Sequence, residues 1–231
     1  MKRRYILMMM VMLSPFFMAQ NSYSYHLLNN IFESTFVFRS LPGLPVDFSI
    51  DGGTLGGGDG LAIVEDACEE WDQLPNIPDF CGNLDQLETD ITSSNINSIV
   101  QENDGVNHIV FDETGSILSD IGAPGVLGLG LTTFNTATGQ ISDITIFING
   151  SIQSSAAADL LATVIHEMGH TWGLAHVPIG GINTTNSVDG FDRISPNSIP
   201  TMYPFAIPVD DRFGRSLESD DLGSVLLNYG P

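Results

Sequence analysis

The sequence predicts a single α+β domain, and three observations carry that prediction. Short apolar runs with strand-like character fill much of the middle of the chain. Three stretches instead carry helical signals, one before those strands and two after them. Segments rich in Gly, Asn, Ser and Pro punctuate the rest, with no internal repeat and no second domain. Roughly two hundred residues remain once the first few tens are set aside, enough for one substantial core.

The elements follow in chain order. "LPVDFSI" alternates like a strand, with Val46, Phe48 and Ile50 on one face. "DGGTLGGGDG" reads as a turn-rich loop. It lacks the spacing and the βαβ setting of a phosphate-binding loop; Asp51 and Asp59 could hold a calcium ion there, but a flexible loop is the favoured reading. "LAIVEDACEEWDQL" puts Leu61, Val64, Ala67 and Trp71 on one helical stripe, stopped by Pro75 and Pro78. A polar loop follows. "DGVNHIVFDE" is a turn leading into a strand, and "GVLGLGLTTF" and "ISDITIFING" are a strand pair joined by the turn-like "NTATGQ". "SSAAADLLATVIHEMGHTW" is the long helix. An irregular segment from Ile179 to Pro200 leads to "SLESDDLGSVLLNYG", where Ser219 and an acidic first turn mark a helix start.

The N-terminus sets an expected compartment. Met1-Lys2-Arg3-Arg4 is basic and Tyr5 to Ala19 is mostly apolar, broken by Ser14 and Pro15. That pattern predicts a secretory signal peptide over residues 1–19, its cleavage falling between there and about residue 25. An uncleaved anchor is the alternative, although the run is short for a bilayer. Residues 20–42 read as a short leader or pro-segment, and 43–231 as the functional domain. The expected product is secreted, extracellular or periplasmic, with no membrane attachment once the leader is gone.

Without that leader the chain keeps only Arg39, Arg193, Arg212 and Arg215 against 28 Asp and Glu, and no lysine. Such a surface repels nucleic acid and anionic lipid, which both require Lys/Arg neutralisation. Two cysteines, Cys68 and Cys81, lie close together in a chain expected to be exported. They lack the CxxC spacing of a metal pair, so a disulfide is favoured over free thiols.

"TVIHEMGHTWGLAHV" holds three of the five histidines. On a helix His166 and His170 share one face a turn apart, so both imidazoles can reach one zinc ion. Glu167 stands beside such an ion without ligating it, placed to take a proton from water. Gly173 ends the helix, and the chain turns back to offer His176 as third ligand. Three neutral histidines leave one tetrahedral position open, the arrangement of catalytic rather than structural zinc. A helix with ordinary histidines is the bland alternative. Leu160, Leu161, Val164, Ile165 and Met168 form a separate apolar stripe, however, so the core does not need the histidines.

The extended pattern His166-Glu167-x-x-His170-x-x-Gly173-x-x-His176 is similar to the signature of the metzincin zinc endopeptidases. Downstream, "SIPTMYPF" supplies Met202 for the Met-turn of that clan. Within it the chain resembles the matrixins, through Met202-Tyr203-Pro204, through "LESDDLGSVLLNYG", and through "DGVNHIVF" and "VLGLGLTTFNTATGQISDITIFING", which look like strands of small bacterial matrixin-like proteases. The resemblance spans about Leu44 to Gly230. It implies a zincin-type catalytic domain, a twisted mixed sheet with a long active-site helix and a C-terminal helix. It further implies one catalytic zinc on His166, His170 and His176, and Glu167 as general base. Tyr203, Pro204 and Phe205 would border the substrate pocket, an edge strand within Gly125 to Phe134 would bind an extended peptide, and Asp220 and Asp221 would support the Met-turn.

Departures are visible too. Tyr203 follows the methionine directly and is not assigned as a zinc ligand. Pro204-Phe205-Ala206 stands where a Pro-x-Tyr segment shapes the main pocket, and Val177-Pro178 where a serine is common. Only His26 and His108 remain for the second, structural zinc of matrixins, too few to form it. Cys81-Gly82 resembles a piece of the family's cysteine switch but lies inside the catalytic region.

The expected activity is therefore a secreted zinc endopeptidase, acting as a monomer on protein or peptide substrates. Its alternatives are a zinc amidohydrolase of the same fold acting on cell-wall peptide, and a secreted zinc-binding protein without turnover. Calcium is a further candidate ligand, at Asp189, Asp192, Asp210 and Asp211 or at Asp104, Asp112 and Glu113, although neither group has EF-hand spacing. Asn149-Gly-Ser and Asn183-Thr-Thr match glycosylation acceptors of a eukaryotic secretory pathway.

Overall fold

A computed structural model describes residues 41–101, 104–135, 137–152, 160–174, 176, 201–202, 217 and 219–229. Five strands form one mixed sheet: β1 (Val46–Ile50), β2 (Cys81–Gln86), β3 (Asn107–Asp112), β4 (Gly128–Phe134) and β5 (Ile141–Asn149). Their order is β2-β1-β3-β5-β4, with every pairing parallel except that of β4 to β5. Around the sheet lie α1 (Gly60–Asp72), α2 (Ile96–Ile99), α3 (Ser116–Asp120), α4 (Leu160–Thr171) and α5 (Ser219–Tyr229). The α+β class expected from the sequence is what the chain adopts.

Pleating divides the sheet's apolar residues between two layers. Phe48, Ile50, Ile109, Phe111, Ile144, Ile146 and Ile148 face α1 and α4 in the main core. Val110, Leu129 and Phe147 face the other way, onto Ile117, Leu118 and Ile91. The inner strands β3 and β5 are thus covered on both sides, which is why they read as almost unbroken apolar runs.

Helix α1 has the stripe its spacing predicts: Val64, Ala67 and Trp71 are fully buried, with Leu61 packed at the margin. The side chain of Asp59 caps it, accepting from Leu61 N at 3.1 Å and Ala62 N at 3.4 Å. The Trp71 indole N–H then donates to the carbonyl of Ile165 in α4 at 3.1 Å, tying the two helices together. At the far end of α4, Trp172 stacks on Phe80 with centroids 4.7 Å apart and meets Tyr229 edge-on at 4.9 Å. The Tyr229 hydroxyl donates to the Trp172 carbonyl and accepts from Leu41 N, both at 2.9 Å. Helix α5 and the start of the described chain are both anchored in this way to the end of α4.

Two expectations need correction here. The region after α1 was expected to be a polar loop, yet it contains strand β2 and the short helix α2. As an edge strand with a half-exposed face, β2 needs no apolar alternation, only backbone pairing to β1. Its start is fixed by the Cys68–Cys81 disulfide and by Asp72, whose Oδ1 accepts the N–H groups of Phe80 and Cys81. The disulfide itself is the bridge the sequence favoured.

The second concerns the glycine-rich loop, whose two aspartates, offered only as possible calcium ligands, serve the backbone. Asp51 is fully buried, and its oxygens accept the N–H groups of Gly53, Ile91 and Phe111 at 2.8 to 2.9 Å. Asp59 caps α1. The loop is also latched by Glu113, which accepts Gly56 N at 2.8 Å and Gly57 N at 2.9 Å. Asp51 thus has both oxygens engaged, and Asp59 serves the helix through its Oδ1.

Candidate metal centre

Helix α4 presents its functional face because its apolar stripe is taken by the core. Val164, Ile165 and Met168 are fully buried against the sheet and α1. His166, Glu167 and His170 emerge on the remaining side, toward the edge strand β4 and the Thr201–Met202 turn. Gly173 then adopts φ 87°, a left-handed conformation cheap for glycine, and the chain reverses. That reversal delivers His176 to the other two rings.

The three imidazoles converge. His176 Nε2 lies 3.1 Å from Nε2 of His166 and 3.1 Å from Nε2 of His170. Each helical histidine is oriented from behind by a carbonyl: His166 Nδ1 contacts Thr201 O at 2.7 Å, and His170 Nδ1 contacts Leu174 O at 2.9 Å. A carbonyl can only accept, so each Nδ1 carries the proton and each Nε2 turns a bare lone pair inward. His176 Nε2 stands against both lone pairs, where it can donate a proton to one of them or, turned bare itself, join them on a cation. Ligands held tetrahedrally at ~2.0–2.1 Å from one zinc ion stand about 3.3 Å apart, close to the observed spacing. Among the described residues, these three form the group of His, Cys, Asp or Glu side chains that could hold a metal ion.

Electrostatics favour the ligating form. Burial pushes His176 down to about 4, and the neighbouring His166 adds to the effect. His166 is also lowered by burial, against an opposing contribution from the Thr201 carbonyl. Both rings are therefore neutral at ordinary pH, as metal ligands must be.

Glu167 is buried beside the histidines, and burial raises its carboxyl to about 8 despite the Gly130 N–H, which pulls it down. That N–H donates to Glu167 Oε2 at 2.7 Å. A cation on the histidines would draw the carboxyl back toward the ionised state. Below the site, Met202 is fully buried, and a Cβ on Gly169 would collide with its sulfur. Asp221 of α5 accepts Thr201 N at 3.1 Å, so α5 holds the turn whose carbonyl orients His166.

The residues expected from the sequence are thus partly assembled. His166, Glu167, His170, His176, Met202 and Asp221 come together, whereas Tyr203, Pro204 and Phe205 lie outside the described residues. So do Asp189, Asp192, Asp210, Asp211 and Asn183. The other proposed calcium group disperses into separate structural roles. Asp112 accepts Leu118 N at 2.8 Å, Glu113 latches the glycine loop, and Asp104 accepts Val106 N at 2.8 Å and approaches His108 at 3.9 Å. Asn149 is buried, and its amide donates to the Val126 carbonyl, which leaves no room for a glycan.

Three contributors escaped the sequence reading: the carbonyls of Thr201 and Leu174, and the N–H of Gly130. Backbone groups carry no sequence signal of their own. The one available hint was the alternation of glycines in "GLGLT", since glycine inside a strand marks a close approach.

No family model matches the chain, and a search of curated proteins finds no match either.

Proposed function

We propose that the chain is a zinc-dependent endopeptidase of the matrixin-like metzincin kind, exported and acting on extended peptides. What chiefly supports this is the convergence of three Nε2 atoms with a buried carboxylate between them and a sheet edge. His166, His170 and His176 would hold the ion, oriented by Thr201 and Leu174. When bound, zinc supplies Lewis acidity, polarising a scissile carbonyl and making a water easy to deprotonate at neutral pH.

The remaining work falls to the chain's own residues. Glu167 takes the proton of the attacking water on its carboxylate and delivers it to the departing amine nitrogen. Gly130 N–H fixes that carboxylate while it does so. Among the described residues strand β4 is bonded to β5 alone, so its outer edge would offer N–H and C=O groups to an extended substrate. Recognition by main-chain groups is largely blind to sequence, and pockets set what specificity there is.

The test is hydrolysis of a quenched, mixed-sequence peptide pool by the zinc-loaded protein, beside Glu167→Ala. Cleavage by the parent and its loss in the variant is the expected result. A folded, zinc-loaded Glu167→Ala protein with full activity would sink the proposal. Inactivity of both, with zinc bound, would turn it toward a cell-wall amide substrate or a binding role.

A further inference from the structure

Resting on that reading of the site, we infer that Gly128 and Gly130 of the edge strand are positioning residues for the Glu167 carboxylate. They stand at alternate positions of β4, opposite Ile148 and Ile146 of β5, and therefore on the same face. That face meets α4. A Cβ on Gly128 would lie 2.7 Å from Glu167 Cγ, 2.8 Å from its Oε1 and 2.9 Å from Thr163 Cγ2. A Cβ on Gly130 would lie 3.3 Å from each of three atoms, the Glu167 backbone carbonyl oxygen, Glu167 Oε2 and His170 Cβ.

Neither glycine has a positive φ, so neither is required by a turn or a left-handed backbone. Glycine inside a strand is unfavourable, because it gives up side-chain packing and loses more backbone freedom than any other residue. Two of them at alternate positions, both against one glutamate, are explained by proximity. They let the bare strand backbone lie against the helix, and from there Gly130 N–H reaches Oε2 at 2.7 Å. Gly128 supplies the space that Cγ and Oε1 occupy. The atoms a new methyl group at 128 would meet first belong to the Glu167 side chain, not to backbone. An alanine there displaces the carboxylate before it disturbs the sheet.

Gly128→Ala and Gly130→Ala in the full chain test this with four measurements: zinc dissociation constant, thermal midpoint, kcat and KM on the peptide pool, and a crystal structure of each variant. The inference expects Gly128→Ala to bind zinc and melt as the parent does, with KM little changed. Its kcat should fall on the order of 10²-fold, the penalty for misplacing a reacting group by about an ångström. Gly130→Ala, with looser contacts, should show the same split at roughly a tenth of that size. Adding Gly128→Ala to Glu167→Ala should cost nothing further, because the residue acts through the one already removed. The crystal structure should show Glu167 displaced on an unchanged backbone.

Unaltered kcat in both glycine variants overturns the inference. So does a parallel collapse of zinc affinity and thermal midpoint, which would mean the glycines serve the fold. If the parent itself cleaves no peptide, the endopeptidase reading fails separately. The crystal structures then decide positioning by themselves, an unmoved Glu167 counting against it.

Discussion

Of the carboxylates buried in this protein, Asp51 and Glu167 are held in different ways. Asp51, at the end of β1, has both oxygens engaged by backbone N–H groups, those of Gly53 and Ile91 on one and of Phe111 on the other. Burial raises its pKa, those three N–H groups oppose the rise, and the charge of Asp90 adds to it. Glu167 accepts one backbone N–H, from Gly130, and burial carries it to about 8. The same desolvation is answered at Asp51 by structure and left largely unanswered at Glu167. A carboxylate saturated with fixed donors can only hold things together. One with a single donor keeps an oxygen on which a proton can be exchanged.

Substitution at Glu167 gives the largest effect that can break this contrast. Glu167→Gln keeps the shape and an acceptor for Gly130 but cannot take a proton. Peptide hydrolysis should fall about 10²–10⁴-fold with zinc still bound, the usual worth of a general base. Rates and zinc content on one preparation decide it, and a drop below tenfold would put Glu167 on a par with Asp51.

The same variant should be more stable than the parent when metal-free and alkaline. With the folded carboxyl near 8 and its ordinary value at 4.5, the folded metal-free protein holds a proton that the unfolded chain has released. Stability from this group is therefore present below pH 4.5 and lost as pH rises to 8, by up to about 1.4 kcal/mol per pH unit. Denaturant titrations of the metal-free proteins at pH 5 and pH 8 should show the parent losing stability between them and Glu167→Gln losing much less. Equal losses would mean that Glu167 does not carry the proton.

Asp51→Asn should act on the fold alone. One of the three donors would then face an amide N–H₂ group instead of an oxygen, costing about 1–3 kcal/mol. Turnover per folded molecule should stay at the parent's value. A loss of turnover without a loss of stability would erase the distinction between the two sites.

Asp221→Asn gives the smallest effect and sharpens the comparison from a third side, since this carboxylate serves the site from behind. Its Oδ2 fixes Thr201 N, and the Thr201 carbonyl orients His166. Groups standing behind a metal ligand commonly contribute 10–100-fold in affinity, so zinc binding should weaken by about tenfold. Competition with a chelator of known affinity measures it.

Much of this was legible in the sequence because it depends on local rules. Helical spacing placed His166 and His170 on one face, Gly173 ended the helix, and period-two alternation marked β1. Two nearby cysteines without CxxC spacing, in a chain expected to be exported, pointed to their bridge. The elements that escaped lacked an amphipathic pattern: β2 is a polar edge, and α2 and α3 are a single turn or little more. Asp51 and Glu113 could be offered only as possible calcium ligands, because acidic residues in loops look alike whether they face an ion or a backbone N–H.

By itself, then, the sequence determined the identities and the order of the site: which residues can ligate, which can take a proton, and which helix carries them. Only the tertiary structure decided what stands behind and beside them. The Thr201 and Leu174 carbonyls, the Gly130 N–H and the support from Asp221 come from segments separated from their partners in the chain, several of them by tens of residues. Side-chain chemistry is written residue by residue. The direction of a backbone N–H or C=O is fixed only when strands pair and helices pack, and at this site those directions set both the histidine tautomers and the place of the carboxylate.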